Sequence, residues 1–210
     1  MSVQLKNHTA STSELPGYIS YEEFLELGDE FRHAEWVDGK VILMSAVTDD
    51  HSSLCGYISH VMHTFVEARE LGEVRIDPFQ MKTGPDLPGR APDVMFIAKK
   101  NLRRIRKMYL DGPADLVVEV ISPKTRSIDR GDKFYEYERG GVREYWLLDP
   151  ERRQAEFYIL GRDRIYRPAI VGDDGVFRST VLKGLWLNVA WLWKSPRPTA
   201  ARLLKEWGID

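Results

Sequence analysis

The spacing of apolar residues divides the chain into helices and strands. The longest helical pattern runs from Asp50, its expected cap, to about Leu71. Leu54, Ile58, Val61, Met62 and Phe65 recur there three and four residues apart and form one apolar stripe. A shorter helix opens at Ser20, with Glu23 completing a capping-box pattern and Phe24, Leu25 and Leu27 supplying contacts. Glu35 to Met44 holds Asp38-Gly39 between apolar flanks, which predicts a hairpin. From Glu73 the pattern turns extended: Val74 to Asp77 alternates, Phe79 to Met81 continues, and Pro92 to Ile97 reads as a strand begun at its proline. Ala114 to Ser122 is the centre of the pattern. Leu116, Val118 and Val120 point to one side and Val117 and Ile121 to the other, as in a central strand covered on both faces. A helix over Ser127 to Arg139, ended by Gly140-Gly141, leads to a strand at Glu144 to Asp149 and its hairpin partner, Ala155 to Leu160. Arg164 to Val171 and Val176 to Leu182 add strands. The tryptophan-rich run Leu185 to Trp193 reads as core, and Pro198 to Trp207 as a closing helix. With no repeat and no linker, the pattern predicts a single α/β domain over 18–210, behind a polar, disordered N-terminal arm at 1–17.

Composition changes this picture little. The 210 residues are 43% hydrophobic and 30% charged, with a net charge of −2, so bulk charge does not suit the chain to polyanions, whereas a local basic patch still could. Cys55 is the single cysteine, so neither an internal disulfide nor a cysteine zinc site is expected; its position in the long helix reads as a small core residue. No apolar run approaches the roughly 18 residues of a membrane span, and no signal peptide is evident, so a cytoplasmic protein without membrane partners is expected.

The chemistry starts from a misplaced carboxylate. Glu119 shares a strand face with Val117 and Ile121, where an isolated charge is costly, so it must be paired, protonated or bound to a metal. Asp93 begins a second strand. If the two strands are neighbours, their carboxylates converge and form a hard oxygen site suited to Mg²⁺ or Mn²⁺. Such an ion polarises a phosphodiester and activates water, and a nearby lysine offsets the charge growing on the phosphate.

Pro92-Asp93 followed by Glu119 in an apolar strand resembles the PD-(D/E)xK nuclease superfamily, the fold of many restriction endonucleases. That pattern has lysine two residues after the acid, where this chain has Ile121. The run Gly112 to Pro123, with Asp129 to Tyr137, Gly141 to Pro150, and Glu35 to Lys40 followed by His51, is similar to the Uma-two family of restriction-endonuclease-like proteins, over about Tyr18 to Leu192. The resemblance implies a mixed central sheet flanked by helices, with an added N-terminal hairpin and C-terminal strands. It implies metal-dependent hydrolysis of DNA, with Asp93, Glu119 and the carbonyl of Val120 as ligands of Mg²⁺ or Mn²⁺. In this family the lysine has moved to the following helix, where Lys133 matches it, and Glu35 is an accessory acid. A nuclease that cuts two strands suggests a homodimer.

Other readings stay open. With Ile121 in place of lysine, the chain could be a catalytically inactive nuclease-fold module that binds nucleic acid or a protein. Glu119 could be salt-bridged to Arg75 or Lys133, and Lys133 itself could form a surface i,i+4 pair with Asp129. Lys124 is a second candidate for the displaced lysine. His60, His63 and Glu67 read as polar helix surface, and His51 as either a cap-region residue or a neighbour of the acids. Lys99 to Lys107, the densest basic run, links the Asp93 and Glu119 strands and is expected near the site, where it would contact phosphates.

Overall fold

The computed structural model of the chain describes residues 17–27 and 33–209; the expected N-terminal arm, Gly17 apart, lies outside them. Ser20 caps α1 (Tyr21–Glu26) through the reciprocal Glu23 contact expected from the sequence. The Asp38-Gly39 turn joins β1 (Ala34–Val37) to β2 (Lys40–Leu43). The long helix, α2 (Asp49–Ala68), is capped by Thr48 and not by Asp50: the Thr48 hydroxyl accepts from the His51 backbone N–H, and Asp49 and Asp50 fill the first turn, where negative charge is favoured.

Next come β3 (Gly72–Ile76), β4 (Gln80–Lys82), β5 (Gly89–Arg90) and β6 (Val94–Ala98), then a 3₁₀ turn at Lys99–Arg104, β7 (Tyr109–Asp111) and β8 (Leu116–Val120). The helix expected over Ser127 to Arg139 is two helices, α3 (Arg126–Arg130) and α4 (Asp132–Gly140). Gly131 breaks it with φ −111° and ψ −92°, and a Cβ there would meet the Ser127 carbonyl oxygen at 2.7 Å. The chain closes through β9 (Glu144–Asp149), β10 (Gln154–Leu160), β11 (Tyr166–Pro168), β12 (Val176–Arg178), β13 (Trp186–Asn188), a 3₁₀ turn at Val189–Trp193, and α5 (Ala200–Glu206).

Six strands form the main sheet in the order β11-β10-β9-β8-β6-β3, antiparallel except for the parallel β8–β9 pair. A second sheet, β2-β1-β5-β4-β7, is mixed as well. The architecture is therefore the expected mixed α/β fold. The two faces of β8 separate as its sequence predicts. Leu116, Val118 and Val120 join the α2 stripe and the C-terminal aromatics, while Val117 and Ile121 join Met81, Leu110 and Tyr137. Each large side chain buried this way stabilises the fold by about 1.5–3 kcal/mol, so both layers hold β8 rigidly in place.

Candidate active site

β6 and β8 are antiparallel neighbours with Val94 opposite Val118, and one further step along that register sets Asp93 opposite Glu119. The Asp93 carboxylate is fixed from both sides. Its Oδ2 accepts from the Val120 N–H at 2.7 Å, and its Oδ1 lies 3.2 Å from His51 Nε2. Glu119, 3% exposed, accepts through Oε1 from Lys133 Nζ at 3.1 Å and from the Tyr137 hydroxyl at 2.7 Å. Both donors come from α4, one turn apart on the helix face that lies over β8.

Lys133 is 2% exposed and holds two more carboxylates, Glu35 Oε1 at 3.2 Å and Asp129 Oδ1 at 3.4 Å. The i,i+4 pair with Asp129 thus exists, but buried and not at the surface. Glu35, delivered by β1, is held at its other oxygen by Arg90 at 2.8 Å, and Arg90 forks onto Glu136 at 2.7 and 2.6 Å. The structure thereby gathers Asp93, Glu119, Val120, Lys133 and Glu35. All but Glu35 line one cavity of about 950 Å³, which also reaches Cys55, Asp77 and Lys124.

Charge in this cluster does not balance. Among the described residues, Glu35, Glu119, Asp129 and Glu136 share two permanent cations, Lys133 and Arg90, while Asp93 adds its charge nearby with His51 as its partner. The consequences differ by position. Burial would raise the Glu35 carboxyl, but Lys133 and Arg90 outweigh it and hold the group below its usual range. Glu119 has Lys133 alone. Burial, with the nearby charges of Asp93, Asp129 and Glu35, pushes it well above the usual carboxylate range. Burial also raises Asp129 and Asp77. Lys133 moves the other way from a buried amine: burial lowers it, but Glu119, Glu35 and Asp129 raise it well above its ordinary value. Burial favours neutral His51 as well, yet the Asp93 contact raises it. An excess of carboxylate at the wall of a cavity, with oxygen donors on adjacent strands, fits a hard divalent cation.

Several expectations need correction or extension. The basic run Lys99–Lys107 lies at the opposite end of the main sheet. It follows Ala98, five residues after Asp93, which at about 3.3 Å per residue is about 16 Å away. Arg75 contacts Glu73 and the Val74 carbonyl, leaving Lys133 as the partner of Glu119. His60 is exposed and His63 contacts the Ser59 carbonyl, as a polar helix surface should. Arg90, Asp129 and Tyr137 escaped the reading of the sequence as members of this cluster. Tyr137 carried a signal, lying one turn after Lys133; Arg90, just past a turn, carried none.

The mixed sheet with its helical flanks is shared with a solved structure. A crystal structure titled as a "putative nuclease belonging to DUF820" from Anabaena variabilis ATCC 29413 superimposes with a TM-score of 0.68 at 17% identity, covering 83% of this chain and 97% of that one. The profile of the family described as "Uma2: Putative restriction endonuclease" matches residues 21–190, and the chain belongs to that family. No curated protein matches it.

Proposed function

We propose that this chain is a metal-dependent endonuclease that hydrolyses DNA phosphodiester bonds. The observation that carries the reading is Glu119, a buried carboxylate held above its usual range at a cavity wall, opposite Asp93 and within 3.1 Å of Lys133. Asp93, Glu119 and the carbonyl of Val120 are the residues to hold Mg²⁺ or Mn²⁺. The ion supplies Lewis acidity toward the phosphate and toward the attacking water.

The protein groups divide the remaining work. Lys133 stays protonated at neutral pH because three carboxylates surround it, so it serves as cation and hydrogen-bond donor and not as a base. It positions the water and offsets charge growing on the phosphate. Glu35, clamped by Arg90, holds the ammonium over Glu119. Lys124 on the cavity wall is placed to meet a phosphate of the substrate. Lysine over the acid, reached from α4, also supports an active enzyme over an inactive module despite Ile121. DNA is the partner this reading requires; a homodimer suits cleavage of both strands, and the cytoplasm is the expected compartment.

Calorimetric titration with Mg²⁺ and with Mn²⁺, on wild type and Glu119→Ala, tests the reading. Wild type should bind and the variant should not, with its circular dichroism retained. Wild type should also nick plasmid DNA only with the ion present. A wild type that binds neither ion, with or without DNA, overturns it.

A further inference from the structure

The cavity holds two donors, His51 and Cys55, that the hydrolytic reading leaves unused. His51 and Cys55 lie one turn apart on α2, so their side chains leave the helix on the same side and meet Asp93. One donor atom from each of His51, Cys55 and Asp93 falls within 4.8 Å of the other two. His51 Nε2 and Asp93 Oδ1 are 3.2 Å apart. In a tetrahedral zinc site, nitrogen and oxygen ligands about 2.0–2.1 Å from the ion stand about 3.3–3.4 Å apart, so these two already sit near the required edge. His51 is itself 7% exposed, lines the cavity, and its Nδ1 has no hydrogen-bond partner among the described residues.

We propose that His51, Cys55 and Asp93 form a three-ligand site for a thiophilic divalent cation, Zn²⁺ above all, whose fourth position opens into the cavity. The donor set is the argument for selectivity. Asp93 and Glu119 alone are hard oxygen ligands for Mg²⁺ or Mn²⁺, whereas a thiolate and an imidazole favour Zn²⁺. On binding, the S–H bond of Cys55 breaks, its proton leaves to solvent, and a zinc–sulfur bond replaces a zinc–water bond. Asp93 belongs to both donor sets, so the two ions exclude each other and Zn²⁺ blocks the hydrolytic site. That last step rests on the nuclease reading; the zinc site itself does not.

Cobalt titration of the full reduced chain is the test, with Co²⁺ standing in for Zn²⁺ and no DNA present. Cys55 is the single cysteine, so a sulfur-to-cobalt charge-transfer band in the near ultraviolet of wild type assigns the thiolate without any variant. Stoichiometric Zn²⁺ should erase the band, excess Mg²⁺ should weaken Co²⁺ binding, and Cys55→Ser should abolish the band. His51→Gln should weaken Co²⁺ affinity by at least about tenfold, since even outer-sphere partners of a ligand cost that much. Co²⁺ binding without the band, a band that survives Cys55→Ser, or no binding at all overturns the site; indifference to Mg²⁺ overturns the sharing of Asp93. A band in a chain that fails to cut DNA with Mg²⁺ would sink the nuclease reading and keep the zinc site. Cleavage without a band would do the reverse.

Discussion

Glu119 and Lys133 touch at 3.1 Å, yet removing one is not equivalent to removing the other. Lys133→Met leaves Glu35, Glu119 and Asp129 buried around no ammonium, and losing one partner of a buried pair costs about 3–5 kcal/mol. Urea denaturation should show that loss, whereas Glu119→Gln, which relieves crowding among like charges, should cost far less. Adding Glu119→Gln to Lys133→Met should restore part of the stability, a coupling that a double-mutant cycle reads directly. The sign of the pH dependence follows from the same residue. A carboxyl raised in the folded state keeps a proton that the unfolded chain has released above its ordinary value of 4.5. The folded state then binds more protons, so in chelator-treated protein stability falls as pH rises from 4.5 toward the raised folded value. Asp129 and Asp77 act in the same direction. Denaturation midpoints should therefore decline as pH rises above about 5 in wild type and decline less steeply in Glu119→Gln, where Asp129 and Asp77 still act. Saturating Mg²⁺ should also flatten the decline. Glu119 was legible in the sequence because a carboxylate interrupts an apolar strand. Asp129 was not, because a carboxylate four residues before a lysine reads as an ordinary surface pair until burial is known.

At the scale of elements, periodicity located the hairpin, α2 and the central strand, since each carries its own apolar pattern. It merged α3 with α4, because the stripe through Ile128, Phe134 and Tyr137 passes over Gly131 without a gap in polarity. The break is a backbone event, and it sets where Lys133 emerges relative to Asp129. Gly131→Ala would put a methyl group 2.7 Å from the Ser127 carbonyl oxygen. Overpacking of this kind costs about 1–3 kcal/mol, and here it should also pull α4 off β8. Thermal denaturation should register the cost, and plasmid nicking should fall further than the lost stability explains. The cap of α2 was misread for a related reason: Asp50 and Thr48 are both good caps, and only the Thr48 hydroxyl contact with His51 N–H decides between them.

Across the molecule, the placement of charge departs most from what the sequence suggested. Lys99–Lys107 links the two acid-bearing strands in sequence yet leaves β6 at the end away from Asp93, because a strand separates its own two ends. Lys124 on the cavity wall should matter more to substrate than that denser run. Lys124→Ala is expected to weaken DNA binding and cleavage together, while Lys99→Ala with Lys100→Ala should change little; filter binding and plasmid nicking at one salt concentration compare the two. The parallel pairing of β8 with β9 has one more result. Parallel neighbours need a crossover, and this one returns across the face that carries Glu119, so the space above the acid is reachable from two addresses in the chain. One is α4, fourteen residues on; the other is two residues along the strand, where Ile121 points to the same side. The volume above Glu119 can be filled from either address. Ile121→Lys combined with Lys133→Met should recover part of the cleavage that Lys133→Met loses, making the two positions interchangeable suppliers of one ammonium.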